Sequence, residues 1–109
     1  MRITVVLPAK NEEAGLERTL PKLKGELPQA EVIVVDDGST DRTAAVAAAH
    51  GARVLSSPYS MGNGAAIKRG ARAASGEVIV FMDADGQHDP ALIHRLLDKL
   101  AEGYDMVVG

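Results

Sequence analysis

Two carboxylates stand two residues apart at the end of an apolar run, in Asp83-Ala84-Asp85-Gly86-Gln87-His88. Alternate side chains of an extended segment share a face, so both acids would point the same way. With the Gln87 amide oxygen they form a hard, all-oxygen donor set, which suits Mg2+ or Mn2+ better than zinc. Such an ion keeps waters and takes its remaining ligands from a substrate diphosphate. Read only as a polar loop before a helix, the stretch explains Asp89 as an N-cap and Pro90 as a first helical residue. It leaves Asp83 and Asp85 unexplained, because neighbouring like charges cost energy without a counter-ion. His88 reads equally as a group orienting a substrate or carboxylate and as loop filling.

Further polar clusters follow two other apolar runs. In Asp36-Asp37-Gly38 a carboxylate would accept hydrogen bonds from a nucleobase or ribose. Asp-Gly is also a frequent turn pair, so Asp37 is assigned to the turn and Asp36 to the ligand. Pro8-Ala9-Lys10-Asn11-Glu12-Glu13 could frame a flat base, with Glu12 at its edge. The same residues read as helix initiation, with Asn11 as cap and two glutamates in the first turn, and on chemistry alone that reading is preferred. Gly62-Asn63-Gly64 opens a helix, but Ile67 occupies the place of the third glycine of a dinucleotide fingerprint. Lys68 and Arg69 fit a solvated helix face better than a phosphate contact. His50 and His94 fall on exposed helix positions, His94 at pairing distance from Asp98. No Ser/His/Asp arrangement points to nucleophilic catalysis.

The elements that must position these residues alternate regularly. Ile3 to Leu7 is a β-branched strand that Pro8 should stop. Leu16, Leu20, Leu23 and Leu27 recur at helical spacing, with a kink or restart expected at Pro21 and an end at Pro28. Val32 to Val35 is a second strand. Ser39 or Thr40 can cap a helix running to His50, and Gly51 suits its C-terminal turn. Arg53 to Leu55, Gly62 to Ala74 and Val78 to Met82 read as strand, helix and strand. Leu92, Ile93, Leu96, Leu97 and Leu100 make the stripe of a helix that Gly103 ends, and Met106 to Val108 reads as a fifth strand. Apolar strands separated by helices imply a three-layer α/β fold, a mostly parallel sheet with helices on both faces. Ligands of such sheets bind beyond the carboxyl ends of the strands, where the polar clusters fall.

Composition narrows the classes. The 109 residues suffice for one domain, and 46% of them are apolar. Only 3% are aromatic, so the core should be Val, Ile, Leu and small residues. A net charge of -3 argues against a general affinity for nucleic acid. The lack of cysteine excludes disulfides and cysteine zinc sites and fits a reducing compartment. No apolar run approaches the ~20 residues of a membrane span.

Taken in order, Pro8 to Glu13, Val32-Ile33-Val34-Val35 with Asp36-Asp37-Gly38-Ser39-Thr40-Asp41, Gly62-Asn63-Gly64-Ala65-Ala66, and Asp83-Ala84-Asp85-Gly86-Gln87-His88-Asp89-Pro90 resemble the family-2 glycosyltransferases. The last stretch is most similar to the branch of dolichyl-phosphate mannose synthase and other polyprenyl-phosphate sugar transferases. The resemblance implies the nucleotide-diphospho-sugar transferase (GT-A) fold and an inverting, metal-dependent transfer from a UDP- or GDP-sugar to an acceptor such as polyprenyl phosphate. It implies that Pro8, Lys10 and Glu12 lie around the donor nucleoside and that Asp36 reads base or ribose. Asp83 and Ala84 would contact the nucleoside side. Asp85 and Gln87 would hold Mg2+ or Mn2+, with Asp83 a further candidate. Ser60 departs from the asparagine often found before the glycine loop. Residues 1–109 are expected to be the nucleotide-sugar-binding part of a domain that continues past Gly109 with acceptor-side and catalytic groups, in a cytoplasmic protein working at the inner face of the membrane. The alternative is a nucleotide- and metal-binding module without turnover.

Overall fold

A computed structural model of the chain describes residues 2–84 and Arg95. The elements run β1 (Ile3–Ala9), α1 (Glu13–Glu26), β2 (Glu31–Asp37), α2 (Thr43–Ala49), β3 (Arg53–Ser57), α3 (Asn63–Ala73) and β4 (Val78–Phe81). The four strands form one sheet in the order β3-β2-β1-β4, and every pairing is parallel. The order reverses between β1 and β4, which makes the carboxyl end of that pair the switch point of the sheet. The expected helix over Leu92 to Leu100, its Asp89–Pro90 start, the His94–Asp98 pair and the strand at Met106 to Val108 lie outside the described residues.

The two faces follow from strand periodicity. Val5, Leu7 and Ala9 of β1 and Val34 of β2 pack with Leu16, Leu20 and Leu23 of α1 and Val46 and Ala47 of α2. Val6, Ile33 and Val35 point the other way, onto Ala66 of α3. Buried on both faces, the central strands read as unbroken apolar runs. Each fully buried Val, Leu or Ile contributes about 1.5–3 kcal/mol relative to exposure. α3 lies very close to the sheet: a Cβ at Gly70 would overlap the Val6 side chain and sit 3.3 Å from Val35 Cγ2. Only a residue without a side chain permits that approach.

Three local expectations are corrected. β1 does not stop at Pro8 but continues to Ala9. Val6 turns its carbonyl toward β4, where it accepts from Met82 N at 3.1 Å. Two residues on, Pro8 presents its nitrogen to the same side, past the last β1–β4 register pair, Val6 with Phe81. The missing N–H therefore costs no ladder bond. The leucine-rich segment does not restart at Pro21; α1 runs through it as one helix. Pro21 cannot bond the Glu17 carbonyl, but both residues are exposed and water can satisfy that oxygen. Neither Asn11 nor Ser39 or Thr40 caps a helix with its side chain: the N-cap positions are Glu12 and Arg42, and neither has a side-chain cap bond. A cross-loop lattice replaces the caps.

Candidate functional site at the carboxyl ends of the strands

The loops after β1 and β2 are stitched together at the helix starts. Asn11, held at φ 53°, accepts from Thr40 N at 2.8 Å and Thr40 Oγ1 at 3.2 Å. Its own N–H donates to Ser39 Oγ at 2.9 Å. Glu12 N donates to Thr43 Oγ1 at 2.9 Å and Glu13 N to Asp41 Oδ2 at 3.3 Å. Asp41 Oδ1 accepts from Thr43 N at 2.9 Å and from the Thr43 hydroxyl. Asp41 thus serves the first turns of both helices, satisfying N–H groups that have no intrahelical partner. The Thr43 hydroxyl, then the backbone amides, holds its carboxyl below the usual carboxylate range.

Asp36 and Asp37 end β2, and strand alternation sends them to opposite faces. Both are 7% exposed. Asp36 accepts from Ser39 N at 3.0 Å and Ser56 Oγ at 3.3 Å. Asp37 faces α3 and takes hold of the segment leading into it. Its Oδ1 accepts from Met61 N at 2.7 Å; its Oδ2 accepts from Ser60 Oγ at 2.9 Å and Gly62 N at 3.1 Å. The Met61 amide is the largest cause keeping the Asp37 carboxyl below its ordinary range, with Ser60, Gly62 and the Lys10 charge adding to it against partial burial. Ser60 makes its contact with Asp37 through its hydroxyl.

Beside this clamp lies a cleft of about 250 Å³ lined by Pro8, Ala9, Lys10, Asp37, Ser60, Gly62, Asn63 and Ala66. It opens at the carboxyl ends of β1 and β2 against the start of α3, where backbone and small side chains leave room for a flat ligand. Of the residues assigned to the donor from sequence, Pro8 and Lys10 line it. Glu12 sits at the start of α1, half-buried, and Asp36 lies toward the α1–α2 face. Asp83 is exposed just past β4, and Ala84 is buried in the α1–α2 core. Asp85 and Gln87, the assigned metal ligands, lie outside the described residues, as does His88. Sequence reasoning missed the reach of Asp37 to residues 60–62. Its parity with Ile33 and Val35, the β2 positions that face α3, was the signal available for finding it.

The model of the family described as glycosyl transferase family 2 matches residues 4–109. The chain belongs to this family. An uncharacterised glycosyltransferase of Mycobacterium tuberculosis is 41% identical over 108 residues, covering 98% of this chain and 47% of the relative. Dolichol-phosphate mannosyltransferase of Pyrococcus furiosus is 34% identical over 115 residues, covering all of this chain and 33% of that one. The crystal structure of glucosyl-3-phosphoglycerate synthase from Mycobacterium tuberculosis, in complex with Mn2+ and uridine-diphosphate-glucose, superposes with a TM-score of 0.79 at 38% identity. That match covers 94% of this chain and 40% of the solved one. The chain thus spans between a third and a half of the length of these relatives. The three-layer parallel α/β architecture expected of a GT-A family-2 glycosyltransferase is the one observed. Among the described residues no helix is long and apolar enough to cross a membrane.

Proposed function

We propose that this chain forms the donor-binding part of a metal-dependent, inverting glycosyltransferase that uses a UDP- or GDP-sugar. The observation that carries this reading is the cleft at the carboxyl ends of β1 and β2, lined by Pro8 and Lys10, in a chain whose solved relative was crystallised with Mn2+ and UDP-glucose. Pro8 and Lys10 line the nucleoside site, with Glu12 at the start of α1; Asp36, assigned to base or ribose from the sequence, faces the α1–α2 side with its oxygens on Ser39 and Ser56. Asp83 approaches the site from the end of β4, whereas Ala84, buried in the α1–α2 core, has only backbone groups to offer. Asp85 and Gln87, with Asp83 as a further ligand, supply hard oxygen donors of the kind Mg2+ and Mn2+ take. A cation held there would offset charge that develops on the departing diphosphate.

In the transfer an acceptor oxygen bonds the anomeric carbon as the bond from that carbon to the diphosphate oxygen breaks, and the nucleoside diphosphate leaves. A phosphate acceptor arrives with its negative charge, whereas a hydroxyl needs a general base. Similarity to a dolichol-phosphate mannosyltransferase supports polyprenyl phosphate as the acceptor and the cytoplasmic, inner face of a membrane as the place of work for the full-length protein.

Calorimetric titration of UDP, GDP and their sugars with and without Mn2+ tests the reading. Metal-dependent binding that Asp85→Ala abolishes is expected. Tight binding indifferent to both metal and that substitution would sink the assigned site. Sugar transfer to polyprenyl phosphate by this chain alone would set aside the alternative of a module that binds without turnover.

A further inference from the structure

No Asp or Glu occurs between Asp41 and Glu77, although the chain carries 15 acids and a net charge of -3. That run contains β3 and α3, and its cations collect along the outer side of α3. Ala66 and Gly70 are buried against the sheet. Lys68 follows Ala66 by two residues and Arg72 follows Gly70 by two, which turns both to the opposite side of the helix, and both are exposed. Arg69 lies on the flank toward β3, where its Nη1 donates to Ser57 Oγ at 2.6 Å. Arg53, from the start of β3, donates through Nη1 to the Ala73 carbonyl at 3.3 Å, at the end of the same helix. Among the described residues, Lys68, Arg69 and Arg72 have no ion-pair partner. α1 is the contrast, because Glu17, Arg18, Lys22, Lys24 and Glu26 mix both signs on its exposed side. A second observation falls at the other end of α3. Tyr59 is 66% exposed and Met61 53% exposed, the exposed large hydrophobics among the described residues. Both lie in the segment that enters α3 at Gly62.

We propose that the outer face of α3, with Tyr59 and Met61 at its head, docks this chain on the anionic surface of a lipid bilayer. Lys68, Arg69 and Arg72 meet the lipid phosphates, with Arg53 beside them, and each cation near such a surface contributes about fivefold in affinity. Tyr59 settles where headgroups give way to acyl chains, since its ring is apolar and its hydroxyl polar. The Met61 side chain adds apolar contact without a fixed shape. A nucleic acid fits the same charge less well. α3 has no aromatic side chain on which bases could stack, and the chain as a whole is acidic. The surface also suits the cleft. Asn63 and Ala66 of the same helix line it, so a bilayer against α3 lies along one wall of the proposed donor site. The role of this contact rests on the membrane setting proposed above, whereas the contact itself can be measured without it.

Co-sedimentation with vesicles, in the absence of nucleotide, tests the surface on the 109-residue chain. The chain should bind vesicles of mixed phosphatidylglycerol and phosphatidylcholine, bind those of phosphatidylcholine alone far more weakly, and leave the anionic ones as salt is raised. Lys68→Glu with Arg72→Glu should weaken the anionic binding roughly tenfold or more. Lys22→Glu with Lys24→Glu makes the same charge change on α1 and should weaken it far less. Tyr59→Ser should also weaken it, with the salt dependence unchanged. Equal losses from the two charge pairs would overturn the proposal, since net charge and not the α3 face would then decide. No binding to anionic vesicles, equal binding to neutral ones, or tighter binding of a single-stranded RNA oligonucleotide in the same salt would overturn it too. If the charge-reversed α3 variant does not fold, Lys68→Gln with Arg72→Gln carries the same comparison. Calorimetry with UDP and Mn2+ separates the surface from the donor site. The α3 variant should keep the affinity of the unsubstituted chain; a matching loss would overturn the proposal, because the cations would then belong to the donor site. A chain that binds vesicles through α3 but no nucleotide would sink the donor reading and leave the docking surface. One that binds nucleotide but no vesicle would do the reverse.

Discussion

Asp36 and Asp37 differ by one residue and face opposite sides of the sheet, so one side chain reaches Ser39 and Ser56 and the other holds Met61 and Gly62. Carboxylates engaged in this way make stability depend on pH. Glu31 accepts from the Ser75 amide at 2.9 Å and from Thr4 Oγ1 at 2.8 Å, and the Ser75 amide is the main cause that lowers its pKa. Asp37 and Asp41 are lowered too, by the Met61 amide and by the Thr43 hydroxyl respectively. A group whose folded pKa lies below its unfolded value stabilises the fold above the unfolded value and loses that contribution as pH falls through the folded one. Urea unfolding should therefore give a constant midpoint at neutral pH and a falling one below about pH 4.5, the ordinary glutamate range. Glu31→Gln should flatten the upper part of that fall; an unchanged profile would show that Glu31 gains nothing on folding. At Gly38 the φ of +71° and a Cβ that would lie 2.5 Å from Ser60 N act together, so Gly38→Ala should cost roughly 1 kcal/mol or more in stability.

At the scale of elements, α3 and α1 make opposite demands. Gly70 lets α3 settle onto Val6 and Val35. Gly70→Ala must push the helix off the sheet or move Val6, and should destabilise by about 1–3 kcal/mol despite alanine's better helix propensity. A stabilised variant would mean that α3 can shift freely. In α1, Pro21 occupies an exposed interior position, where proline costs about 3 kcal/mol relative to alanine. Its restriction of the unfolded chain returns some of that. Pro21→Ala should raise the unfolding free energy by about 2 kcal/mol, read from urea midpoints at constant m. The capping lattice is likewise a property of two elements at once: Asp41 and Thr43, at the start of α2, satisfy the amides of Glu12 and Glu13 at the start of α1. Asp41→Ala should loosen both first turns, visible as faster exchange at the Glu13 and Thr43 amides.

For the whole molecule, the reversal of strand order at β1 and β4 gathers the polar ends of β1, β2 and β4 along one edge, and a ligand there bridges several loops. Binding that needs the folded state should stabilise it. With Mn2+ and a nucleoside diphosphate at about a hundred times its Kd, the unfolding free energy should rise by about 2.7 kcal/mol. Omitting the metal at the same nucleotide concentration should shrink that gain. An equal gain without metal would argue against a cation in the donor site.

Sequence alone determined the order of the described elements, the parallel three-layer plan and family membership, because periodicity and ordered motifs are local properties of the chain. It placed Pro8 and Lys10 at the end of β1, where they line the cleft. It misjudged Pro8 as a strand end, Pro21 as a restart, and Asn11, Ser39 and Thr40 as caps. For Pro8 and the caps the outcome depended on neighbours distant in sequence; for Pro21 it depended on which face of α1 the packing left to water. The tolerance of Pro8 depends on where β4 stops, and the loops at the helix starts are bonded to groups 29 and 31 residues away. Asp37 is the clearest instance. Its residue type and Asp-Gly pairing announced a turn, but the amides that employ its carboxylate lie 24 and 25 residues downstream. A hydrogen-bonding group in a strand end can serve whichever backbone the fold brings within reach, and only the packing of α3 against β1 and β2 decides which backbone that is.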